Sequence, residues 1–272
     1  MSDSTGPGWP AQPMGPGAEP SGAPPGPVPG PPSGMAAGPW AGGQPPPPYL
    51  PVPPPAERFY RAWQARTNTD YIFSFWTALG WTLLTLGIYG FYVFYQLVRR
   101  MREHNARRLE LLDAALGFGW EEAGRRGLQE ELVPSFQRAA AHLAVLKKMT
   151  GDFREPVIWL VLSVLANAIV HVIAFILLDE DLVKHDGAEV GVEYELALIY
   201  GRLGHVLAYP DAGRVKRQHN YVGRIVVAII SFGIYFLWWY HDMMVEPNRH
   251  FYANWSQEDA LAAAITAIRQ AL

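Results

Sequence analysis

Three long apolar runs interrupt an otherwise polar chain. Tyr71 to Val98 contains no Asp, Glu, Lys or Arg in 28 residues. Val157 to Leu178 is a mostly apolar run of 22 residues after Pro156. The third run extends from Tyr221 to Val245, with Arg224 near its start and His241 and Asp242 near its end. About 20 apolar residues carry a helix across the hydrocarbon core. The pattern therefore predicts an all-α, polytopic membrane protein with about three transmembrane helices. Thr85, Gly87 and Gly90 are weak points in the first run, where Gly87-Ile88-Tyr89-Gly90 could turn. One kinked span and a re-entrant hairpin of two half-length helices both fit. The kinked span is preferred, because irregular backbone at membrane depth must be buried in protein or line a wet cavity.

The polar stretches divide the rest. Residues 1–56 form a Pro/Gly-rich tail: residues 1–55 hold 20 of the 24 prolines and 11 of the 26 glycines, and no core can form there. Pro46-Pro47-Pro48-Tyr49 matches a ligand motif for aromatic grooves, a match that proline at this density also produces by chance. Residues 57–110 hold an interfacial lead-in, the first span and a basic flank. Arg58, Arg61 and Arg66 are expected near headgroups, and Thr67 to Asp70 are candidate N-caps. Residues 111–156 complete a cytoplasmic helical connector. Leu109 to Leu116 and Phe136 to Lys148 read as amphipathic helices, with Gly117, Gly119, Gly124 and Gly127 marking the turn between them. Residues 157–178 are the second span, and 179–220 an acidic loop that turns basic at Arg214, Lys216 and Arg217. Val192 to Leu207 could form a short helix in it. Residues 221–250 are the third span, and 251–272 a C-terminal amphipathic helix opening at Ser256.

The first and third runs echo each other. Gly87-Ile88-Tyr89 aligns with Gly233-Ile234-Tyr235 at an offset of 146, which also pairs Phe94 with Tyr240 and His104 with His250. A duplication and a chance likeness of aromatic segments both explain it.

Composition adds the environment. Charged residues are 17% of the chain, below the roughly 25% of soluble domains. Ten Trp and thirteen Tyr cluster at the ends of the runs, where ring and polar atom suit the headgroup level. A net charge of −3 gives no reason to expect nucleic acid, and the absence of cysteine excludes disulfides and thiolate chemistry.

Candidate chemistry is sparse. There is no phosphate loop, HExxH or nucleophile elbow, so no cofactor, metal or catalytic residue is expected and the protein reads as a non-enzyme. His241, Asp242, Glu246 and His250 resemble a metal set, but Pro247 is expected to end the helix and move His250 away. Asn167 and His171 share one face of the second span, suiting an interhelical hydrogen bond or a polar path. Arg99, Arg100, Arg102, Arg107 and Arg108 read as a topology signal that also grips anionic headgroups.

Leucines, then Thr85-Leu86-Gly87-Ile88-Tyr89-Gly90, aromatics and basic residues make residues 68–110 resemble the DUF4234 family of prokaryotic membrane proteins. In 220–250, Phe236 replaces the second glycine and the basic cluster is missing. The resemblance implies a bacterial integral membrane protein and supplies no catalytic residues. The expected protein sits in the cell membrane, multi-pass, as a non-enzymatic scaffold that recruits a protein partner, with the Pro-rich tail as one route. The alternative is a small transporter or channel subunit using Asn167 and His171. A homo-oligomer fits either.

Overall fold

Leu86 and Gly87 turn the chain back on itself. Both have left-handed backbone, with φ of 50° and 94°. The Gly87 N–H reaches back to Thr82 O at 2.7 Å, closing the helix end as a Schellman turn. The computed structural model describes residues 52–210 and 217–271, and these are all-α, with no strand among them. The Pro-rich tail, its Pro46–Tyr49 motif, Arg214 and Lys216 lie outside the described residues.

The helices are α1 (Pro55–Gln64), α2 (Arg66–Thr69), α3 (Phe75–Leu84), α4 (Ile88–Arg125), α5 (Gln129–Gly151), α6 (Pro156–Leu165), α7 (Asn167–Arg202), α8 (Tyr221–Ile230) and α9 (Ile234–Gln270). Each apolar run is broken into a ten-residue arm and the start of a much longer helix. No helix among the described residues is long and apolar enough to cross a membrane. This replaces the kinked span at 71–98 with the hairpin, and it leaves the two other expected spans without a continuous helix.

Cross-hairpin contacts fix the fold-back. Arg100 Nη1 donates to Tyr71 O at 3.2 Å; in a continuous helix these residues would be roughly 40 Å apart. Arg154 bonds to Asp181 across α6 and α7. Arg224 Nη2 donates to Asp242 Oδ2 at 2.6 Å across α8 and α9. The three hairpins are thus centred near Leu86, Ala166 and Phe232.

The echo is structural. Phe232 and Gly233 repeat the turn with φ of 50° and 87°. Thr85 Oγ1 accepts from Tyr89 N at 2.9 Å, and Ser231 Oγ accepts from Tyr235 N at 3.0 Å. The middle hairpin turns differently, without glycine or positive φ, at Ala166 (φ −141°, ψ 55°). Buried positions keep register through all three long helices: Val93, Leu97, Met101 and His104 on α4, Ala174, Leu178, Leu182 and His185 on α7, Trp239, Met243, Pro247 and His250 on α9.

The long helices continue past the hairpins into a helical body. Gly117, Gly119 and Gly124 lie inside α4, and only Gly127 turns, at φ 68°. The expected short helix at 192–207 is the end of α7, and Ser256 lies within α9 rather than capping a helix. Ser74, not the Thr67–Asp70 segment, caps α3. Two apolar cores result. One, around Phe94, Phe175 and Trp239, ties the hairpins together. The other, around Phe59, Leu112, Leu196 and Ile265, fills the body.

Pro247 does not end its helix. Its missing N–H deprives Met243 O of the usual donor, and Arg100 Nη2 donates there instead, at 2.7 Å. Asn248 Oδ1 takes the other guanidinium nitrogen at 2.9 Å. Arg100→Met is therefore expected to cost about 3 kcal/mol in a denaturant melt, since it orphans buried carbonyls. Pro247→Ala should return part of that loss by restoring the helical donor; purely additive effects would contradict this account.

Candidate functional site: the hairpin tips and the buried histidine layer

The tips carry clusters of highly exposed apolar side chains. Leu86 is 94% exposed, Leu165 77% and Phe232 97%. Leu83, Leu84 and Ile88 surround the first tip, Val164 and Ile169 the second, and Ile229, Ile230 and Ile234 the third, all exposed. Leu86 and Phe232 also hold backbone that costs a side-chain-bearing residue about 1–2 kcal/mol. Both strained apices thus present one large apolar side chain away from the fold.

Charge returns at the hairpin bases, much of it in pairs. Arg99 Nε donates to Glu103 at 2.7 Å, and Arg102 bonds to Glu155. His219 bridges Asp179 at 2.8 Å and Glu246 at 3.2 Å, and the Tyr221 hydroxyl donates to Asp179 at 2.7 Å. The lead-in arginines also meet carboxylates: Arg58 with Glu110 and Asp113, Arg66 with Asp259, and Arg61, at the open surface, with Glu57. Of the basic cluster, Arg99 and Arg102 stay accessible, whereas Arg100, Arg107 and Arg108 are buried. A headgroup grip by the whole cluster is thereby corrected.

A cavity of about 240 Å³ lies between the hairpins near their tips. It gathers four residues expected from sequence: Gly87, Gly90, Asn167 and His171. The polar pair makes its bond within α7, His171 Nδ1 lying 2.8 Å from Asn167 O, while the ring packs, tilted, against Phe94 of α4 at 4.2 Å between centroids. Gly90 allows α3 and α4 to touch, since a Cβ there would stand 3.3 Å from Thr82 Cγ2. Tyr89 instead packs with Trp81 and Tyr92.

Below the hairpins, a buried polar layer separates the two cores. Asp70 accepts from His104 Nδ1 at 3.0 Å, from Arg107 at 2.7 Å and from the Trp255 indole at 2.7 Å. Burial pushes the Asp70 carboxyl up, but His104, Arg107 and Trp255 outweigh it and hold it well below the usual range. Burial pushes the His104 imidazole down to about 3, against the pull of Asp70. Arg108 donates to Glu189 at 2.8 Å, Glu258 at 3.2 Å and Gln257 at 3.0 Å, and also bonds to Glu193.

Three histidines meet in this layer, one from each long helix. The ring centroids of His104, His185 and His250 stand 5.2 to 5.7 Å apart. One donor atom from each, with one oxygen of Glu189, lies within 4.8 Å of every other. The suspected set of His241, Asp242, Glu246 and His250 does not assemble. Asp242 pairs with Arg224 and Glu246 with His219, while the unbroken α9 carries His250 into the layer. Sequence reading paired His104 with His250 but missed His185 and Glu189. The usable signal was the second offset of 81, which aligns Phe94 with Phe175 and His104 with His185. Comparison with protein-family models, curated proteins and solved structures finds no match to this chain.

Proposed function

We propose that the chain is a membrane scaffold whose three hairpins enter one leaflet from one face of the bilayer, with the helical body resting at that face. The observation that carries this reading is the depth of the uncharged zone. A ten-residue arm is about 15 Å long, half of a hydrocarbon core about 30 Å thick. Paired charges stand at the bases of the arms and exposed apolar side chains at their tips. Helical backbone satisfies its own polar groups at that depth, and the first and third turns close theirs with Schellman bonds.

On this reading both ends of the described chain face the same compartment as the body. The Pro-rich tail can recruit a partner there, and kinship of residues 68–110 with the DUF4234 family belongs to the same proposal. The transporter alternative draws on the cavity holding Asn167 and His171. A path needs two open faces, and hairpins of half depth offer one. The test is sidedness: the two ends of every hairpin must emerge on the same face.

A further inference from the structure

We propose that His104, His185, His250 and Glu189 bind one divalent transition-metal ion, of the zinc class, as a closed structural site that clamps the three long helices. The inference rests on the geometry of the buried layer and is independent of the bilayer reading.

The orientation of the rings is the main observation. His104 directs Nδ1 to Asp70 at 3.0 Å, and His250 directs Nδ1 to Asp186 at 3.2 Å. Each ring therefore has a carboxylate behind it and its Nε2 facing inward. A carboxylate behind an imidazole fixes the tautomer and raises ligand basicity. Neither ring nitrogen of His185 has a hydrogen-bond partner, although Nε2 stands 3.2 Å from Glu189 Oε1 and the ring is buried. Glu189 follows His185 by one helical turn, so both present to the same point.

Three of the inward atoms converge on one position. The Asn254 amide nitrogen is 3.1 Å from His250 Nε2, 3.5 Å from His104 Nε2 and 3.0 Å from Glu189 Oε2. Lone pairs from separate helices that gather on one electropositive group also suit a cation. Three imidazoles and one carboxylate are a donor set for zinc, iron or cobalt rather than for calcium or magnesium. A tetrahedral zinc with bonds near 2.0–2.1 Å needs donors about 3.4 Å apart. The four donor atoms all lie within 4.8 Å of one another, so the farthest pair must close by about 1.4 Å at most to reach that. Four protein donors in a buried layer leave no open position, which is the mark of a structural site.

The test uses the full chain, purified without a polyhistidine tag from cells grown with added zinc. Elemental analysis should find about one ion per chain, and His185→Gln should lower that content roughly tenfold or more. His142→Gln, outside the layer, should leave it unchanged. Cobalt loaded into the wild type should show the visible bands of a tetrahedral site, and a strong chelator should lower the melting temperature reversibly. If His185→Gln fails to fold, these wild-type measurements decide. Wild-type protein with less than about a tenth of an ion, a featureless cobalt spectrum or a melt indifferent to chelation would overturn the proposal.

Discussion

Leu86→Asp, Leu165→Asp and Phe232→Asp together should release the protein from membranes. A carboxylate near the bilayer centre costs about 3 kcal/mol on insertion scales. Three such costs shift partitioning by roughly a millionfold. The folded body should survive, because these side chains touch little of it: each is more than three quarters exposed. Val145→Asp supplies the control, since Val145 is an exposed apolar residue on α5 of the body. The measurement is flotation with vesicles of neutral lipid, which removes any contribution from charge attraction. Wild type and Val145→Asp should float, and the triple variant should stay with the soluble fraction. Equal flotation of all three would detach the tips from the membrane role argued for them.

Removing the guanidinium of Arg108 should be the most damaging single change in the body. Arg108 and its partners Glu189, Glu193 and Glu258 are all buried, and it donates to each of them. Burial pulls its proton affinity down, but the three carboxylates outweigh that and raise it above the ordinary arginine value. Arg108→Ala strips three buried carboxylates of a shared counter-charge, which costs about 3–5 kcal/mol. For a body of this size that lowers the melting temperature by roughly 6–20 °C. Arg108→Lys should recover only part, because an ammonium cannot make the forked contacts. The exposed pair Arg61–Glu57 sets the scale for comparison: Arg61→Ala should change stability by less than about 0.5 kcal/mol. An Arg108→Ala melt as mild as that of Arg61→Ala would contradict the role given to the layer.

The hairpins were partly legible in the sequence. Gly87 and Gly233 mark two of the turns, because a residue without Cβ tolerates positive φ. The middle turn at Ala166 carries no such residue, so its run reads as a plain span. Length misled as well. Each run has enough apolar residues to cross, and hydropathy does not distinguish one crossing from two half-crossings. Pro247 reads as a helix end because the rescue of Met243 O comes from Arg100, 143 residues before Met243 in the chain. The basic cluster shows the same effect. Arg100, His104 and Arg108 follow each other at one turn and extend the buried stripe of Val93, Leu97 and Met101. That spacing was visible, but its burial depends on carboxylates brought by α7 and α9. The histidine layer is the least legible feature, since its three histidines lie 65 to 146 residues apart and meet only in the folded chain.

Sidedness tests the central claim most directly, and a chain without cysteine makes the measurement clean. Single cysteines at Glu57, Asp152, Gln218 and Ala271 occupy exposed positions before, between and after the hairpins. Each variant is treated with a membrane-impermeant thiol reagent on intact cells and again after lysis. Hairpins that enter and leave by one face predict that all four positions behave alike, protected before lysis and labelled after it if the body is cytoplasmic. Labelling of Glu57 and Gln218 on one side, with Asp152 and Ala271 on the other, would mean that each run crosses the bilayer and would contradict the account.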